Sequence, residues 1–192
     1  LQTHIVERLA PCLQRSQRSG NAQKATGMKT PVQLFSAWMG PGPMTAAREK
    51  ALASIALHCA VPFHFVTNHN LKSWIHADFP LHSGFQNLSA VHQCDYLRCY
   101  MLHVYGGGYT DIKPTTHNWN RFFDLHAMTR KLGAGYTEVA PHGVARVGGD
   151  LELDMKANYQ KLIGVCSLIM SPQSSFTREW FDTVNALLDQ NL

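Results

Sequence analysis

From residue 88 to residue 113 the chain reads LSAVHQCDYLRCYMLHVYGGGYTDIK, and the rest is best read outward from this stretch. Ala90, Cys94, Leu97, Met101 and Val104 recur at steps of three and four, the spacing of a helix that turns one face to a core. Gly106, Gly107 and Gly108 follow, and glycine closes a helix because it enters the left-handed backbone region without steric cost. Tyr109 to Lys113 then predict a strand, stopped by Pro114. Asp95 and Arg98, three residues apart, project from one helical face, and the glycine turn carries the chain toward Asp111 near the strand's end. Two readings of that convergence stand side by side. One is a surface ion pair followed by an ordinary helix cap; the other is a pocket whose Cβ-free turn lets a ligand approach the backbone.

Upstream the texture changes at Pro31: the segment from Val32 to Met39 is short and rich in β-formers, and G-P-G-P at positions 40 to 43 stops it. Met44 to Cys59 is Ala-rich, with Ala47, Leu52, Ile55 and Ala56 on one helical face, and Pro62 to Thr67 reads as a second strand. A strand, a helix and a strand in succession give the rhythm of an α/β sheet. A short helix is expected at Leu71 to Ile75 and a loop at Asp78 to Phe85. Further on, a helix capped by Asn118 should run to Arg130, followed by strands at Tyr136 to Ala140 and Ile163 to Met170. Ser175 to Leu188 predicts a last helix with Phe176, Trp180, Val184 and Leu187 inward. Residues 1–30 read as an arm or linker, with a short amphipathic piece at Ile5, Val6, Leu9 and Leu13 before a polar, glycine-punctuated run; residues 31–192 read as one domain.

With 192 residues, 45% of them hydrophobic, the chain is long enough for one sizeable core. Its 17 basic and 13 acidic residues are spread thinly, without the basic clusters that nucleic-acid binding calls for. The five cysteines form no C-x-x-C pair, which speaks against a disulfide framework and for a reducing, cytoplasmic setting. No apolar run is long enough to span a bilayer, and no secretory signal is expected. The 11 histidines show no zinc-binding spacing. A dinucleotide-binding oxidoreductase is disfavoured because no G-x-G-x-x-G follows the first strand.

The pattern D-x-x-R, an apolar helical run, Y-G-G-x-Y and then Asp, carried here by Asp95, Arg98, Tyr105, Gly106, Gly107, Tyr109 and Asp111, resembles the signature of GT-A glycosyltransferases with a DXD-type motif. It is most similar to a group of mannosyltransferases, capsular-polysaccharide sugar transferases, glucosylating clostridial toxins and virus-encoded transferases, and most of all to a chlorella-virus transferase domain. The W-M-G at Trp38 to Gly40 resembles that group's W-x-G, and the stretch from Ile163 to Phe181 resembles its late strand and helix. The likeness runs from about Pro31 to Leu188.

What this resemblance implies is a single Rossmann-like GT-A domain with a mixed, mostly parallel central sheet flanked by helices. It would transfer a sugar from a nucleoside diphosphate donor, expected to be a UDP-sugar, to a glycan, glycoprotein or other hydroxyl acceptor. Trp38 would stack on the base. Asp95 and Arg98 would bind sugar hydroxyls and, for Arg98, a phosphate oxygen. Gly107 would let the donor approach, and Asp111 would hold the ribose or a Mn²⁺ or Mg²⁺ ion. Asp111 and Arg98 are thus the implied catalytic pair, and Asp111 the implied metal ligand. This chain departs from the motif, reading Asp111-Ile112-Lys113 where the family has Asp-x-Asp. Either Asp111 keeps a metal with waters and another carboxylate, or Lys113 supplies the positive charge, or the domain binds nucleotide sugar without turnover. Asp150, Glu152 and Asp154, expected in an exposed loop or edge, are candidates for a missing ligand; Glu138 is a candidate base or a solvated strand-end charge. His117 and His142 fall in loops near the implied cleft, with no role assigned. The compartment expected is the cytoplasm, that of the host if the chain is virus-encoded. An excised domain of a longer protein fits the way the chain ends after a helix.

Overall fold

In the computed structural model, which describes residues 29–129 and 131–190, Leu34–Trp38 forms strand β1, and its first four residues are all buried. Burial on both faces is what a strand inside a covered parallel sheet requires. Helix α1 (Ala46–His58) follows, capped by the Thr45 side chain, which accepts from the Arg48 N–H. The chain returns as β2 (Phe63–Thr67), parallel to β1, with Leu34 opposite Phe63 and Trp38 opposite Thr67. One 3₁₀ turn covers Leu71–Trp74, as expected, and another covers Ser83–Asn87 where a loop was expected for its first residues.

Helix α2 (Ala90–Val104) starts at a Ser89 cap, and every residue from Tyr96 to Val104 is buried, so the apolar stripe understates how deeply it sits. Its end explains the glycines. Gly106, at φ 65°, donates to the Met101 carbonyl, and Gly107, at φ 96°, packs so closely on Gln33 that a Cβ would lie 2.7 Å from its carbonyl oxygen. Strand β3 (Gly107–Thr110) therefore begins inside the glycine run and ends before Asp111, shifted toward the N-terminus from the expected Tyr109 to Lys113.

Helix α3 (Asn120–Thr129) begins after Asn118, whose side chain accepts from the Asn120 N–H. Strand β4 is Gly133–Thr137 rather than Tyr136 to Ala140. Gly133 and Gly135 depress strand propensity, but both lie flat against β5, where a Cβ would collide with Met170 and Ile163. The acids Asp150, Glu152 and Asp154 lie on helix α4 (Gly149–Ala157), not on a loop or edge: the alternating leucines mimic a strand, but Glu152 pairs with Lys156 one helical turn on. Strand β5 (Ile163–Met170) and helix α5 (Ser175–Asp189, capped by Ser174) complete the described chain. The amphipathic piece expected at residues 5 to 13 lies outside the described residues, as does Arg130.

The strand order is β2-β1-β3-β5-β4. β1 is parallel to β2 and β3, β5 is antiparallel to β3, and β4 is antiparallel to β5, so β5 alone runs against the other strands. The sheet is mixed, parallel from β2 through β1 to β3 and antiparallel beyond, and it is flanked by helices. Alternate residues divide two cores: Leu34 and Ile169 pack with Ile55 of α1 and Phe123 of α3, while Phe35 and Leu168 pack with Tyr100 of α2 and Val184 of α5. No helix among the described residues is long and apolar enough to cross a membrane.

This order has a functional corollary. From β1 the chain passes through α1 to β2 on one side, then through α2 to β3 on the other side of β1. The crossover direction reverses between β1 and β3. In open α/β sheets the loops diverge at such a point, leaving a crevice at the carboxyl ends of the strands where ligands bind.

Candidate functional site at the switch point

Trp38 is the last residue of β1, and Asp111 directly follows the last residue of β3, so both stand at the carboxyl ends of the two strands that flank the reversal. The half-buried Trp38 indole folds back over Gly40 and donates from Nε1 to the Gly42 carbonyl at 3.3 Å. A Cβ at Gly40 would lie 2.8 Å from the indole, so the W-x-G pattern is a packing requirement: glycine is what lets the ring lie down.

Asp95, Arg98 and Asp111 come together. A single Arg98 nitrogen, Nη2, lies 3.0 Å from Asp95 Oδ1 and 2.8 Å from Asp111 Oδ1. The guanidinium also sits 5.1 Å from the centre of the Tyr109 ring. Burial sets aside the surface-ion-pair half of the first reading, while the glycine turn is the helix cap that the same reading expects. Only 7% of the Arg98 side chain and 9% of the Asp95 side chain are exposed, so the pair is not a solvated surface ion pair. Arg98 Nε and Asp95 Oδ2 are buried without hydrogen-bond partners among the described residues. Taking such charges out of water costs several kcal/mol per ion, about what their attraction returns, so stability alone does not explain the arrangement.

The electrostatics follow from this burial. Burial alone would lower the Arg98 pKa, but Tyr109 and the two carboxylates reverse the effect and leave it raised. Burial also raises the Asp95 pKa, against the opposing pull of Arg98. The Tyr109 phenol is pushed up by burial and stays neutral beneath the guanidinium.

Outside this buried layer lies a more exposed rim. Lys113 is 60% exposed, 4.0 Å from Asp111 Oδ2, and donates from Nζ to Cys166 Sγ at 2.9 Å. Its pKa is raised, first by that hydrogen bond. The Asp111 N–H bonds the Cys166 carbonyl at 2.8 Å, which fixes the acid against β5. Arg48, in the first turn of α1, donates from Nη1 to the Ile112 carbonyl at 2.6 Å and so reaches the same loop from the other face. Tyr136 lies on Gly164 and next to Cys166; burial and the hydrogen bond to Cys166 raise its pKa. Sequence reasoning missed Arg48, Cys166 and Tyr136. Arg48 alone left a signal, as a basic residue in the first turn of the helix that follows the β1 loop.

The other expected residues are dispersed. Gly107 is buried at the amino end of β3, against Gln33 and Pro31, the opposite end of that strand from Asp111, so it shapes the turn and stands away from the carboxyl ends of the strands. Glu138 follows β4, its N–H bonded to the Leu162 carbonyl. His117 packs against Phe122, and His142 lies in the single turn Pro141–Gly143.

The side chains at Asp111 do not fit a resident Mn²⁺ or Mg²⁺. One carboxylate oxygen is taken by Arg98, the other faces Lys113, and the free oxygen of Asp95 is sealed from solvent. A divalent ion there would meet the positive charges of Arg98 and Lys113 with one open carboxylate oxygen, whereas such ions favour several oxygen ligands. Among the described residues no three His, Cys, Asp or Glu side chains gather as a metal cage.

Comparison with family models, curated proteins and solved structures finds no match to this chain.

Proposed function

We propose that this chain is a GT-A-like glycosyltransferase that moves a sugar from a nucleoside diphosphate donor, a UDP-sugar, to a hydroxyl of a glycan or glycoprotein acceptor. The observation that carries this reading is the joint position of Trp38 and the Asp95–Arg98–Asp111 cluster at the carboxyl ends of β1 and β3, where the crossover direction reverses. The resembled motif supplies the same residues.

In this reading the base stacks on Trp38, whose ring is already held by Gly40 and Gly42. Asp111 is aimed by Arg98 below and by the Cys166 carbonyl at its N–H, and it accepts hydrogen bonds from donor hydroxyls. Arg98 acts as a positioning residue, since its Nη2 is committed to both carboxylates. Transfer breaks the bond between the sugar C1 and the diphosphate oxygen, and the electron pair leaves with that oxygen. The acceptor oxygen forms the new bond to C1, and its proton passes to bulk water. The second reading, a module that binds nucleotide sugar without turnover, draws on Asp-Ile-Lys in place of Asp-x-Asp.

Release of free UDP from a panel of UDP-hexoses, with saccharide acceptors and with and without Mn²⁺, separates the two. A transferase releases UDP, and Asp111→Ala lowers the rate by about 10²-fold or more. A module binds UDP with no release under any condition. Absence of both binding and release would overturn the proposal.

A further inference from the structure

We infer that Lys113 and Arg48, rather than a divalent cation, neutralise the diphosphate of the donor; this rests on the transferase reading above. A nucleoside diphosphate leaving group gains negative charge as the C1–O bond breaks, and something positive must meet it. Two cationic side chains are in place. Lys113 stands where the resembled motif has its second acid, with Nζ oriented by Cys166 and held 4.0 Å from Asp111 Oδ2. Arg48 comes from the opposite side, with one guanidinium nitrogen on the Ile112 carbonyl, inside the same Asp-Ile-Lys segment; the residue is exposed, and its planar fork suits phosphate oxygens.

Among the described residues, the carboxylates around this region include Asp111 and Asp95, both engaged by Arg98, Glu49 beside Arg48 in the first turn of α1, and Glu138, whose charge acts on Tyr136 beside Cys166. Arg98 thus cancels much of the acid charge underneath, and Lys113 and Arg48 face outward as the surplus. The same substitution that removes a metal ligand, Asp to Lys at position 113, adds a charge of the sign that the metal would have supplied.

The test is binding of UDP and of uridine in EDTA, followed by quenching of tryptophan fluorescence, together with UDP release from UDP-sugars in EDTA and in Mn²⁺. The expected result is that UDP binds more tightly than uridine in EDTA, and that Lys113→Ala and Arg48→Ala each narrow that gap by about 10-fold. Turnover should change less than about 2-fold between EDTA and Mn²⁺ and fall by about 10²-fold in Lys113→Ala. Circular dichroism checks that these exposed variants stay folded. If UDP binds or turns over only with Mn²⁺, the inference is overturned and the transferase reading stands. If neither UDP nor a UDP-sugar binds under any condition, both fall.

Discussion

Replacing Arg98 by Met tests whether the buried cluster is organised as described. The substitution keeps an apolar stem of similar length and removes the charge between Asp95 and Asp111, which Nη2 holds at 3.0 and 2.8 Å. Breaking a buried pair by removing one partner costs about 3–5 kcal/mol, because the other charge stays behind without compensation. Asp111 is 27% exposed and regains some solvation, while Asp95 is 9% exposed and does not, which puts the expected loss near the low end, about 3 kcal/mol. Loss of the contact over Tyr109 adds roughly 0.5–1 kcal/mol. Together these losses lower the midpoint of a domain of this size by roughly 7–16 °C. Urea unfolding read by circular dichroism and by tryptophan fluorescence gives the number, provided that the two probes coincide. The double variant Asp95→Asn/Arg98→Met should recover about 1 kcal/mol or more, since it removes the stranded charge. A loss below about 1 kcal/mol in the single variant, or no recovery in the double, would refute the reasoning.

Three more outcomes follow from the same geometry. Asp95 has a raised folded pKa, so its contribution to stability is full below the unfolded carboxyl pKa and is lost as pH rises through the folded one; the stability of Asp95→Asn relative to the parent chain should therefore improve as pH rises from about 4. His103, His126 and His64 have folded pKa values lowered, in each case first by burial, so the stability they contribute is present above about pH 6.5 and is lost as pH falls, which pH-dependent thermal unfolding should record as a declining midpoint. Gly106→Ala places a Cβ at φ 65° and 2.4 Å from Pro172 Cδ, and should cost about 2–4 kcal/mol in urea unfolding, whereas Gly42→Ala, with open space around it, should cost less than about 1.

The legible part of the fold was the part where one period dominates. β1, α1, β2 and α5 lie within about two residues of the expected places, with a Gly-Pro loop after β1 and a serine cap before α5, but α1 buries Ala51 and Ile55 and leaves Ala47 and Ala56 of the expected face exposed. β4 was misplaced because its glycines carry no propensity signal, and its register with β5 slips between Gly135 and Thr137, which is visible only once the neighbouring strand is known. α4 was missed because a run of alternating acid and leucine satisfies the strand period as well as the helix period, and Leu153 is left exposed.

At the site, helical spacing was enough to put Asp95 beside Arg98, and the glycine turn enough to bring Asp111 back to them. The depth of the cluster was not readable, because the residues that bury Arg98 include Tyr109 on β3, a contact set by sheet pairing. Gly107 was read as a donor contact because a glycine that admits a ligand and a glycine that admits a neighbouring backbone look alike in sequence; here the neighbour is Gln33. Arg48 and Cys166 reach the Asp-Ile-Lys segment from 64 and 53 residues away, through sheet order and helix placement that no local pattern encodes.

The most direct measurement of the central claim is a crystal structure with UDP. The account predicts the uracil ring against Trp38 and the diphosphate between Lys113 and Arg48, over the carboxyl ends of β1 and β3. UDP bound at another surface, with Trp38 and Lys113 untouched, would contradict it.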